Sequence, residues 1–204
     1  FSQTAGFDPQ PVRVALQAAV DAVDGAMSTW KPDSRLMQLN AAPVGRWIKV
    51  PQQLLDVLRL ALDIGRASGG AFDIGMGDAV SAWGFGPSEA HREQIRAALE
   101  RKRRPAHEIL ELDIEAGMVR KTAPVSLDLN GIAKGYGVDR LADGLLTFGI
   151  SSGLVGIDGE VRTLGLRPDG SPWSIAVEAP DYDRRAAHSV LALQDAAVAT
   201  SGDY

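Results

Sequence analysis

The sequence contains no cysteine. It therefore has no disulfide, no thiolate metal site and no cysteine nucleophile, and cysteine usage gives no information on the cellular compartment. The sequence also lacks an apolar run near the ~18 residues that a transmembrane helix needs, and it shows no signal peptide. Its three histidines, His91, His107 and His188, lie far apart and in no motif. Neither a histidine-rich metal site nor a Ser-His-Asp triad is supported.

Basic residues are in the minority, because 21 Lys and Arg stand against 26 Asp and Glu, for a net charge of −5. A nucleic-acid-binding protein normally presents a basic face, so we expect no nucleic-acid partner. The only basic run, residues 101–104 (Arg-Lys-Arg-Arg), ends a predicted helix, where cations suit the helix dipole. We interpret this run as a solvated helix end.

Hydrophobic periodicity predicts a mixture of helices and strands along the chain. Helices are predicted over residues 8–27, 33–40 (capped by Asp33 or Ser34), 51–67, 88–103 (capped by Ser88) and 132–148, and strands over 108–113, 118–120, 125–129, 153–160, 173–178, 189–193 and 197–200. Turns rather than crossover helices join the strand pairs. We therefore predict an α+β fold with a mixed, largely antiparallel sheet and packed helices, in a single domain over residues 1–204.

The stretch from Ser126 to Asp139 combines acids, an amide, three glycines and a lysine where a predicted strand meets a predicted helix. A helix start offers unpaired backbone N–H groups and the positive end of the dipole, and Gly131 and Gly135 would let a ligand approach the main chain. Lys134 in the first turn opposes the dipole unless an anion is present, which favours a phosphate or carboxylate ligand. A solvated Lys134, with glycines that only permit close helix–strand packing, explains the pattern about as well.

Acidic side chains in or beside glycine-rich turns provide candidate oxygen ligands for a metal ion. They are Asp73, Asp78, Asp128, Asp158, Glu160 and Asp203. Oxygen ligands with a phosphate substrate suit Mg²⁺ better than zinc. The sequence has no Walker loop and no Gly-x-Gly-x-x-Gly that opens a helix after a strand, so kinase-like and Rossmann folds are disfavoured.

Six segments, in one order along residues 27–204, carry a resemblance to a known family. They are Met27-Ser-Thr-Trp with Asp33-Ser-Arg-Leu and Leu39-Asn40, Gly70-Ala-Phe-Asp-Ile with Trp83-Gly-Phe-Gly86, the stretch from Asp128 to Asp139, Gly156-Ile-Asp-Gly-Glu160, Pro172-Trp173, and the stretch from Ala199 to Tyr204. Together they resemble the FAD:protein FMN transferases of the ApbE type. The resemblance implies an α+β flavin-binding fold and a Mg²⁺-dependent enzyme. Such an enzyme transfers FMN from FAD to a serine or threonine of a target flavoprotein and releases AMP.

The resemblance also implies roles for individual residues. Those expected around FAD are Met27, Ser28, Asn40, Gly70, Ala71, Phe72, Asp73, Lys134, Asp139 and Glu160. Lys134 is expected to be the catalytic residue that stabilises the phosphates, and the main-chain carbonyl of Gly131 is expected to contact Mg²⁺. These roles agree with the phosphate interpretation of Lys134 and the Gly131 turn given above.

Two departures from the family pattern accompany the resemblance. The family usually has glycine at the position of Asn130, a change that Asn tolerates in unusual backbone geometry. The family's later histidine segment and its metal motif with Asp and Thr fall after Tyr204, so we expect the 204-residue chain alone to be inactive as a transferase. Asp128, Asp158 and Asp203 are the remaining candidates for a metal carboxylate. A non-catalytic FAD-binding protein, or an FAD pyrophosphatase that yields FMN and AMP, are the alternative functions.

The family is typically exported, so the resemblance implies a periplasmic or cell-envelope lipoprotein. Membrane contact is then expected only through an N-terminal lipid anchor outside the given sequence. The sequence begins with Phe1 rather than Met. This beginning is compatible with a processed export signal and with an omitted segment.

Overall fold

The computed structural model describes residues 7–87, 89–181 and 186–201. Its residues group into two compact units. The central unit runs from Ala22 to Ala133, and the terminal unit combines the segment up to Asp21 with the segment from Lys134 onward. This grouping does not test the expectation of a single domain over residues 1–204, which stays a prediction.

The described residues form seven α-helices, one 3₁₀ helix and eight strands. The helices are α1 (Gln10–Met27), α2 (Arg35–Ala41), α3 (Gln52–Ala67), the 3₁₀ helix (Ile74–Met76), α4 (Gly77–Ala82), α5 (Arg92–Glu100), α6 (Ala106–Ile109) and α7 (Ala133–Thr147). The strands are β1 (Ile48–Lys49), β2 (Leu110–Asp113), β3 (Met118–Lys121), β4 (Gly153–Ile157), β5 (Glu160–Leu164), β6 (Trp173–Glu178), β7 (Ala187–Leu193) and β8 (Ala197–Val198). None of the helices in the described ranges has the length and apolar character to cross a bilayer.

The strands form three small antiparallel sheets. The central unit contains the sheet ordered β1-β3-β2, and the terminal unit contains the sheet β4-β5-β8 and the hairpin β6-β7. All strand pairs among the described residues are antiparallel, which agrees with a chain whose strands are connected by turns. The predicted α+β class with largely antiparallel pairing is confirmed.

Helix α2 begins at a serine cap. Ser34 has extended φ and ψ angles of −61° and 154°, and its Oγ accepts a hydrogen bond from Met37 N at 3.1 Å. The same hydroxyl donates to the Ser28 carbonyl at 2.6 Å, which fixes the chain that enters the helix. Of the two predicted caps, Asp33 and Ser34, the structure selects Ser34.

The core of the central unit is built around α3. Pro51 precedes the first turn of α3, where its missing N–H costs nothing, and the helix buries residues at helical spacing. The buried side chains of this core include Leu36, Leu39, Leu54, Leu55, Leu58, Val119, Leu127 and Leu129, each at most 1% exposed. Each such burial stabilises the fold by about 1.5–3 kcal/mol relative to an exposed side chain.

The core of the terminal unit lies between α7, the β4–β5 hairpin and the first half of α1. It contains Val12, Val138, Leu141, Ala142, Leu145, Val155 and Leu164. Gly144 of α7 permits close packing, since a Cβ at this position would lie 2.9 Å from Leu16 Cδ2 of α1. The β4–β5 hairpin closes with a two-residue turn, Asp158-Gly159, whose φ angles of +48° and +98° are those of a type I′ turn.

The basic run differs from its prediction. Helix α5 ends at Glu100 rather than at residue 103, and the predicted cap, Ser88, lies outside the described residues. Arg103 lies after the end of α5 and donates from Nε and Nη2 to the Asp78 carboxylate of α4, at 3.2 and 2.9 Å. Its side chain is 18% exposed, so the interpretation of this arginine as a solvated helix end is wrong.

The glycine-rich segment 70–86, which had no predicted helix, holds the 3₁₀ helix and α4. Helix α4 ends in a Schellman motif: Phe85 N donates to Val80 O at 3.1 Å and Gly84 N donates to Ser81 O at 3.0 Å. Gly84 has the positive φ of +82° that this motif requires. Gly84 therefore lies just after the C-terminus of α4 and supplies the conformation that ends the helix.

Candidate functional site

The segment predicted as a strand at 125–129 pairs with none of the strands in the described part of the chain. Asn40 Nδ2 donates to the Leu127 carbonyl at 2.9 Å, and Leu127 N donates to Asn40 Oδ1 at 2.8 Å. A single side-chain amide therefore satisfies both main-chain groups that a neighbouring strand would satisfy. On either side, Ser126 O accepts from Gly77 N at 2.9 Å and Asp128 N donates to Ile74 O at 2.9 Å. The prediction of a strand is wrong because these partners come from a side chain and a turn.

The same contacts define the place of Asn40. Both polar atoms of its amide are engaged with Leu127, so the structure gives this predicted FAD contact a scaffolding role. Leu127 and Leu129 are each 1% exposed, whereas Asp128 between them is only half-buried. The alternation of this segment thus directs two leucines into the core and turns Asp128 away from it.

Asp73 shapes the neighbouring loop. Its Oδ1 accepts from Gly75 N at 2.8 Å and from Ala106 N at 3.1 Å, so one carboxylate oxygen caps the 3₁₀ helix and joins it to the start of α6. Phe72 N in turn donates to Ser68 Oγ at 3.1 Å. The predicted FAD loop, residues 70–73, is therefore held by hydrogen bonds at its end.

Phe72, which the resemblance assigns to FAD, lies in contact with Gly131, which the resemblance assigns to Mg²⁺. A Cβ added to Gly131 would lie 3.2 Å from the Phe72 ring atom Cε2, so only glycine leaves ordinary room for the ring. The 70–73 loop and the 128–131 turn are about 60 residues apart in sequence and meet inside the central unit. This contact is a structural link between predicted site residues in that unit.

Asp128 is the first residue of the 128–131 turn. Its Oδ1 accepts from Asn130 N at 2.8 Å and its Oδ2 accepts from Asn130 Nδ2 at 3.1 Å. Burial raises the pKa of Asp128, and the Asn130 N–H bond offsets part of that rise. Asn130 does not have a positive φ, so its occurrence in place of the family's glycine is explained by the side-chain bond to Asp128 and not by unusual backbone geometry.

Lys134 lies in the terminal unit and faces two acids. Its Nζ is 3.1 Å from Glu160 Oε2 and 3.6 Å from Asp158 Oδ2, both at the β4–β5 turn. The Glu160 side chain is 13% exposed, and its buried Oε2 receives no directed hydrogen bond from the described residues. The charge of Lys134 at a helix start is therefore balanced within the chain, and its presence alone does not require an anionic ligand.

Asp139, another predicted FAD contact, is paired on α7. Its Oδ1 lies 2.6 Å from Arg162 Nη1 of β5. With the pairs of Lys134 to Glu160 and to Asp158, this gives three ion pairs between α7 and the β4–β5 hairpin. The three predicted residues of the terminal unit thus lie along one helix–hairpin contact.

Met27 and Ser28 end α1. Met27 is 3% exposed and belongs to the core, and Ser28 Oγ accepts from Trp30 N at 3.2 Å. The next residue, Thr29, has a buried Oγ1 without a hydrogen-bond partner among the described residues. A hydroxyl that is left without a partner on folding has no local signal in a sequence, so Thr29 is not among the predicted site residues.

The acids proposed as metal ligands do not form a side-chain cluster. Within the described ranges, no group of three or more His, Cys, Asp and Glu side chains is placed to hold a metal ion. Asp128 belongs to the central unit and Asp158 to the terminal unit, and Asp203 lies outside the described residues. Asp128 is the candidate that shares a turn with Gly131, the predicted carbonyl ligand.

Comparison with known proteins identifies the relatives of this chain. Residues 3–204 match the model of the ApbE family. An FAD:protein FMN transferase of Vibrio cholerae is 37% identical over 199 residues, which are 97% of this chain and 59% of that protein. An FAD:protein FMN transferase of Klebsiella pneumoniae is 32% identical over 200 residues, which are 96% of this chain and 57% of that protein.

Solved structures show the same fold. The flavin transferase ApbE from Vibrio cholerae superposes with a TM-score of 0.84 at 33% identity, over 98% of this chain and 66% of that chain. The ApbE protein from Thermotoga maritima gives a TM-score of 0.84 at 28% identity, over 99% of this chain and 65% of that chain. The chain therefore spans less than two thirds of the length of these relatives.

Proposed function

The chain belongs to the ApbE family, and from this premise we propose that it transfers FMN from FAD to a serine or threonine hydroxyl of a target flavoprotein. The hydroxyl oxygen forms a bond to the FMN phosphorus, the bond from that phosphorus to the bridging oxygen breaks, and the hydroxyl proton is released. AMP leaves with the bridging oxygen. The flavoprotein retains FMN through a phosphodiester bond.

The observation that carries this proposal is the contact between the Phe72 ring and Gly131. It unites the loop that the resemblance assigns to FAD with the turn that the resemblance assigns to Mg²⁺, and these two segments are distant in sequence. Phe72 and the exposed Gly131 turn supply an aromatic ring and an approachable main chain. A flat ring system with a phosphate tail needs both kinds of surface.

Lys134 has the role of stabilising the phosphates in this proposal. Its side chain is 37% exposed, so its ammonium group can exchange the Asp158 and Glu160 carboxylates for phosphate oxygens. A charge-assisted hydrogen bond to phosphate is stronger than a neutral one, and charge on the leaving AMP phosphate grows in the transition state. Lys134 would therefore stabilise the transition state more than the bound substrate.

Magnesium is part of the proposal. The donors that the turn offers are oxygens, namely the Asp128 carboxylate and the main-chain carbonyls around Gly131, and this donor chemistry fits Mg²⁺. Burial also disfavours a bare Asp128 carboxylate, as its raised pKa indicates, and a cation would relieve that cost. When bound, Mg²⁺ supplies neutralisation of pyrophosphate charge. Gly131 would hold it through the carbonyl oxygen, and FAD phosphates and water would complete the ligand set.

We extend the proposal to location and partner. Family membership supports export to the periplasm or cell envelope, attachment by an N-terminal lipid, and a target flavoprotein with an acceptor Ser or Thr. Fractionation of the native cells, with detection of this protein in periplasmic, membrane and cytoplasmic fractions, tests the location. Recovery in the cytoplasm would contradict it.

The reaction is tested by mixing the chain with FAD, Mg²⁺ and a flavoprotein domain that bears an acceptor threonine. Covalent flavin on the acceptor, detected by mass spectrometry and in-gel fluorescence, is the expected result for a longer form that carries the segment after Tyr204, whereas the 204-residue chain alone is expected to leave the acceptor unlabelled. An acceptor with Thr→Val is the control and stays unlabelled. Free FMN and AMP without labelling would identify an FAD pyrophosphatase, and bound but unchanged FAD would identify a flavin-binding protein.

A further inference from the structure

A lysine occupies an inward-facing position of β3. The strand alternates between half-buried and buried residues, and its buried face carries Val119 and Lys121 at 0% and 4% exposure. An apolar side chain is the ordinary occupant of such a position, since lysine is rarely buried unless it is paired. A residue that breaks the local pattern in this way indicates a requirement beyond packing.

The partner of this lysine is a main-chain carbonyl. Lys121 Nζ donates to Asn40 O at 2.6 Å, and no carboxylate of the described residues lies within ion-pair distance of it. Burial lowers the pKa of the Lys121 ammonium, because desolvation penalises its charge. Asn40 lies in the last turn of α2, where carbonyl groups lack helical partners and the helix dipole favours a cation.

The contact continues from Asn40 to the candidate site. The same residue that receives the lysine at its carbonyl binds both main-chain groups of Leu127 with its side-chain amide. Leu127 directly precedes Asp128, which heads the turn that ends at Gly131. Two successive contacts, from Lys121 to Asn40 at 2.6 Å and between Asn40 and Leu127 at 2.8–2.9 Å, followed by the peptide bond from Leu127 to Asp128, therefore connect the buried ammonium to the 128–131 turn.

We propose that Lys121 is a positioning residue of the flavin site, which holds Asn40 and through it the segment 127–131 in the geometry that FAD requires. The proposal rests on the proposed function in that this segment is taken to contact FAD. Lys121 itself lies behind Asn40 and touches no ligand. Lys121 keeps the Asn40 amide in its orientation, and this matters because a rotation of Asn40 would release both hydrogen bonds to Leu127 together.

The test compares three variants. Lys121→Met keeps the length and removes the donor, Lys121→Gln keeps a donor without the charge, and Val119→Ala disturbs the same buried face without touching Asn40. Lys121→Met is expected to raise the Kd for FAD and the KM for FAD at least tenfold. Lys121→Gln is expected to recover part of that loss. Val119→Ala is expected to lower the Tm and to keep the Kd for FAD.

Hydrogen exchange supplies a readout that a loss of stability alone would not give. Replacing the buried charge by methionine removes a desolvation cost but leaves Asn40 O without its donor, so Lys121→Met is expected to melt below the wild-type Tm, as Val119→Ala does, and Tm does not separate the two variants. Hydrogen exchange of the ligand-free protein should show faster exchange at the Leu127 and Asp128 amides in Lys121→Met and unchanged exchange there in Val119→Ala. Wild-type Kd together with wild-type exchange in Lys121→Met would overturn the proposal. A wild-type protein that fails to bind FAD would overturn the proposed function instead, and the exchange comparison would still decide whether Lys121 positions Leu127.

Discussion

At the scale of single residues, polar side chains of the central unit form hydrogen bonds with main-chain groups. Asn40 stands in for a strand partner of Leu127, and Asp73 caps two helix starts with one oxygen. Such groups are costly to remove, since the backbone donors and acceptors that they satisfy would remain buried and unpaired. These residues therefore have measurable effects on stability that are separate from any contact with a ligand.

Substitution of Asn40 by alanine should lower the free energy of unfolding by about 2–4 kcal/mol, because two hydrogen bonds are lost and both partners belong to buried Leu127. Urea unfolding followed by circular dichroism measures this change. Gln38→Ala on the exposed face of α2 is the control, as it removes only exposed bonds, one to Asp33 O and one from Arg35 Nη1. Equal losses in both variants would contradict the scaffolding role of Asn40.

Lys134→Ala should weaken FAD binding by roughly 1.5–3 kcal/mol, the value of a lost charge-assisted hydrogen bond. It should also lower stability by about 1 kcal/mol, since the carboxylate of Glu160 would keep a buried oxygen without its counter-charge. The double variant Lys134→Ala/Glu160→Gln should regain stability and still bind FAD poorly. Fluorescence titration and urea unfolding separate these effects. Recovery of FAD affinity in the double variant would show that Lys134 acts only through Glu160.

The pKa of Asp128 makes stability depend on pH. Because burial raises it above the ordinary 3.8, the folded protein binds the proton more tightly than the unfolded chain. Stability is therefore lost as pH rises from 3.8 through the folded pKa, and the loss is complete above it. Asp128→Asn removes the charge, so it should unfold at higher urea than wild type at pH 7 and at equal urea below pH 3.8. A difference that persists below pH 3.8 would indicate a packing effect.

At the scale of elements, one ion-pair cluster fixes the segment after α5. Arg101 and Arg103 both contact Asp78, and Arg103 Nη1 also donates to Ala98 O at the end of α5. Burial by itself would raise the pKa of Asp78, but the hydrogen bonds and charge of Arg103, with the Ala79 N–H and Arg101, hold it below its usual value. Its stabilising contribution is thus present above pH 3.8 and is lost as pH falls through the folded pKa.

Asp78→Asn should therefore lower the unfolding free energy by roughly 2 kcal/mol at pH 7, the value of hydrogen bonds to a charged group. The difference from wild type should shrink at acidic pH, opposite in sign to that of Asp128→Asn. Trypsin cleavage within residues 101–104 should also become faster. Asp143→Asn, which breaks an exposed pair with Arg140, is the control and should cost well under about 1 kcal/mol. Unchanged cleavage at 101–104 would contradict a role for Asp78 in holding this segment.

Elements with strong local signals were predictable from the sequence. Helix α3 followed from its leucine spacing and Pro51, and the hairpin of β2 and β3 followed from alternation around the turn 115–117. The extended segment 125–129 was not predictable, because its hydrogen-bond partners are Asn40, 87 positions from Leu127, and the turn at 74–77. The alternation of apolar and polar residues indicates which face of a segment is buried, but it does not indicate which groups form hydrogen bonds with the main chain.

Prediction of the candidate site from the sequence has the same limit. Types of residue and their motifs pointed to Asp73, Asn40 and the 128–131 turn, and the structure gives these residues defined places. The pairing of Lys134 with Glu160 had no local signal, since it depends on a strand that is distant in sequence from α7. An inward-facing lysine in an alternating strand is a signal that a sequence reader could have used once the burial of Val119 was assumed.

At the scale of the whole molecule, the described chain has two cores. Leu58 is fully buried in the central unit, and Leu145 is 5% exposed in the core of the terminal unit. Leu→Ala at either site should cost about 2–5 kcal/mol. Native-state hydrogen exchange should show the added opening mainly in residues 22–133 for Leu58→Ala and mainly in residues 134–201 for Leu145→Ala. Uniform loss of protection in both variants would show that the two units open as one.

The order of segments along the chain has a consequence for synthesis. The central unit is continuous, whereas the terminal unit needs residues from both sides of it. A ribosome releases the whole central unit before the partners of Val12, which include Val138 and Leu145, have emerged. At about 5–20 residues per second, the roughly 30 residues from Ala133 to Leu164, the last member of that core, take on the order of 2–6 s. During those seconds the apolar face of the first half of α1 lacks part or all of its core, and a nascent-chain binding factor would find its target there.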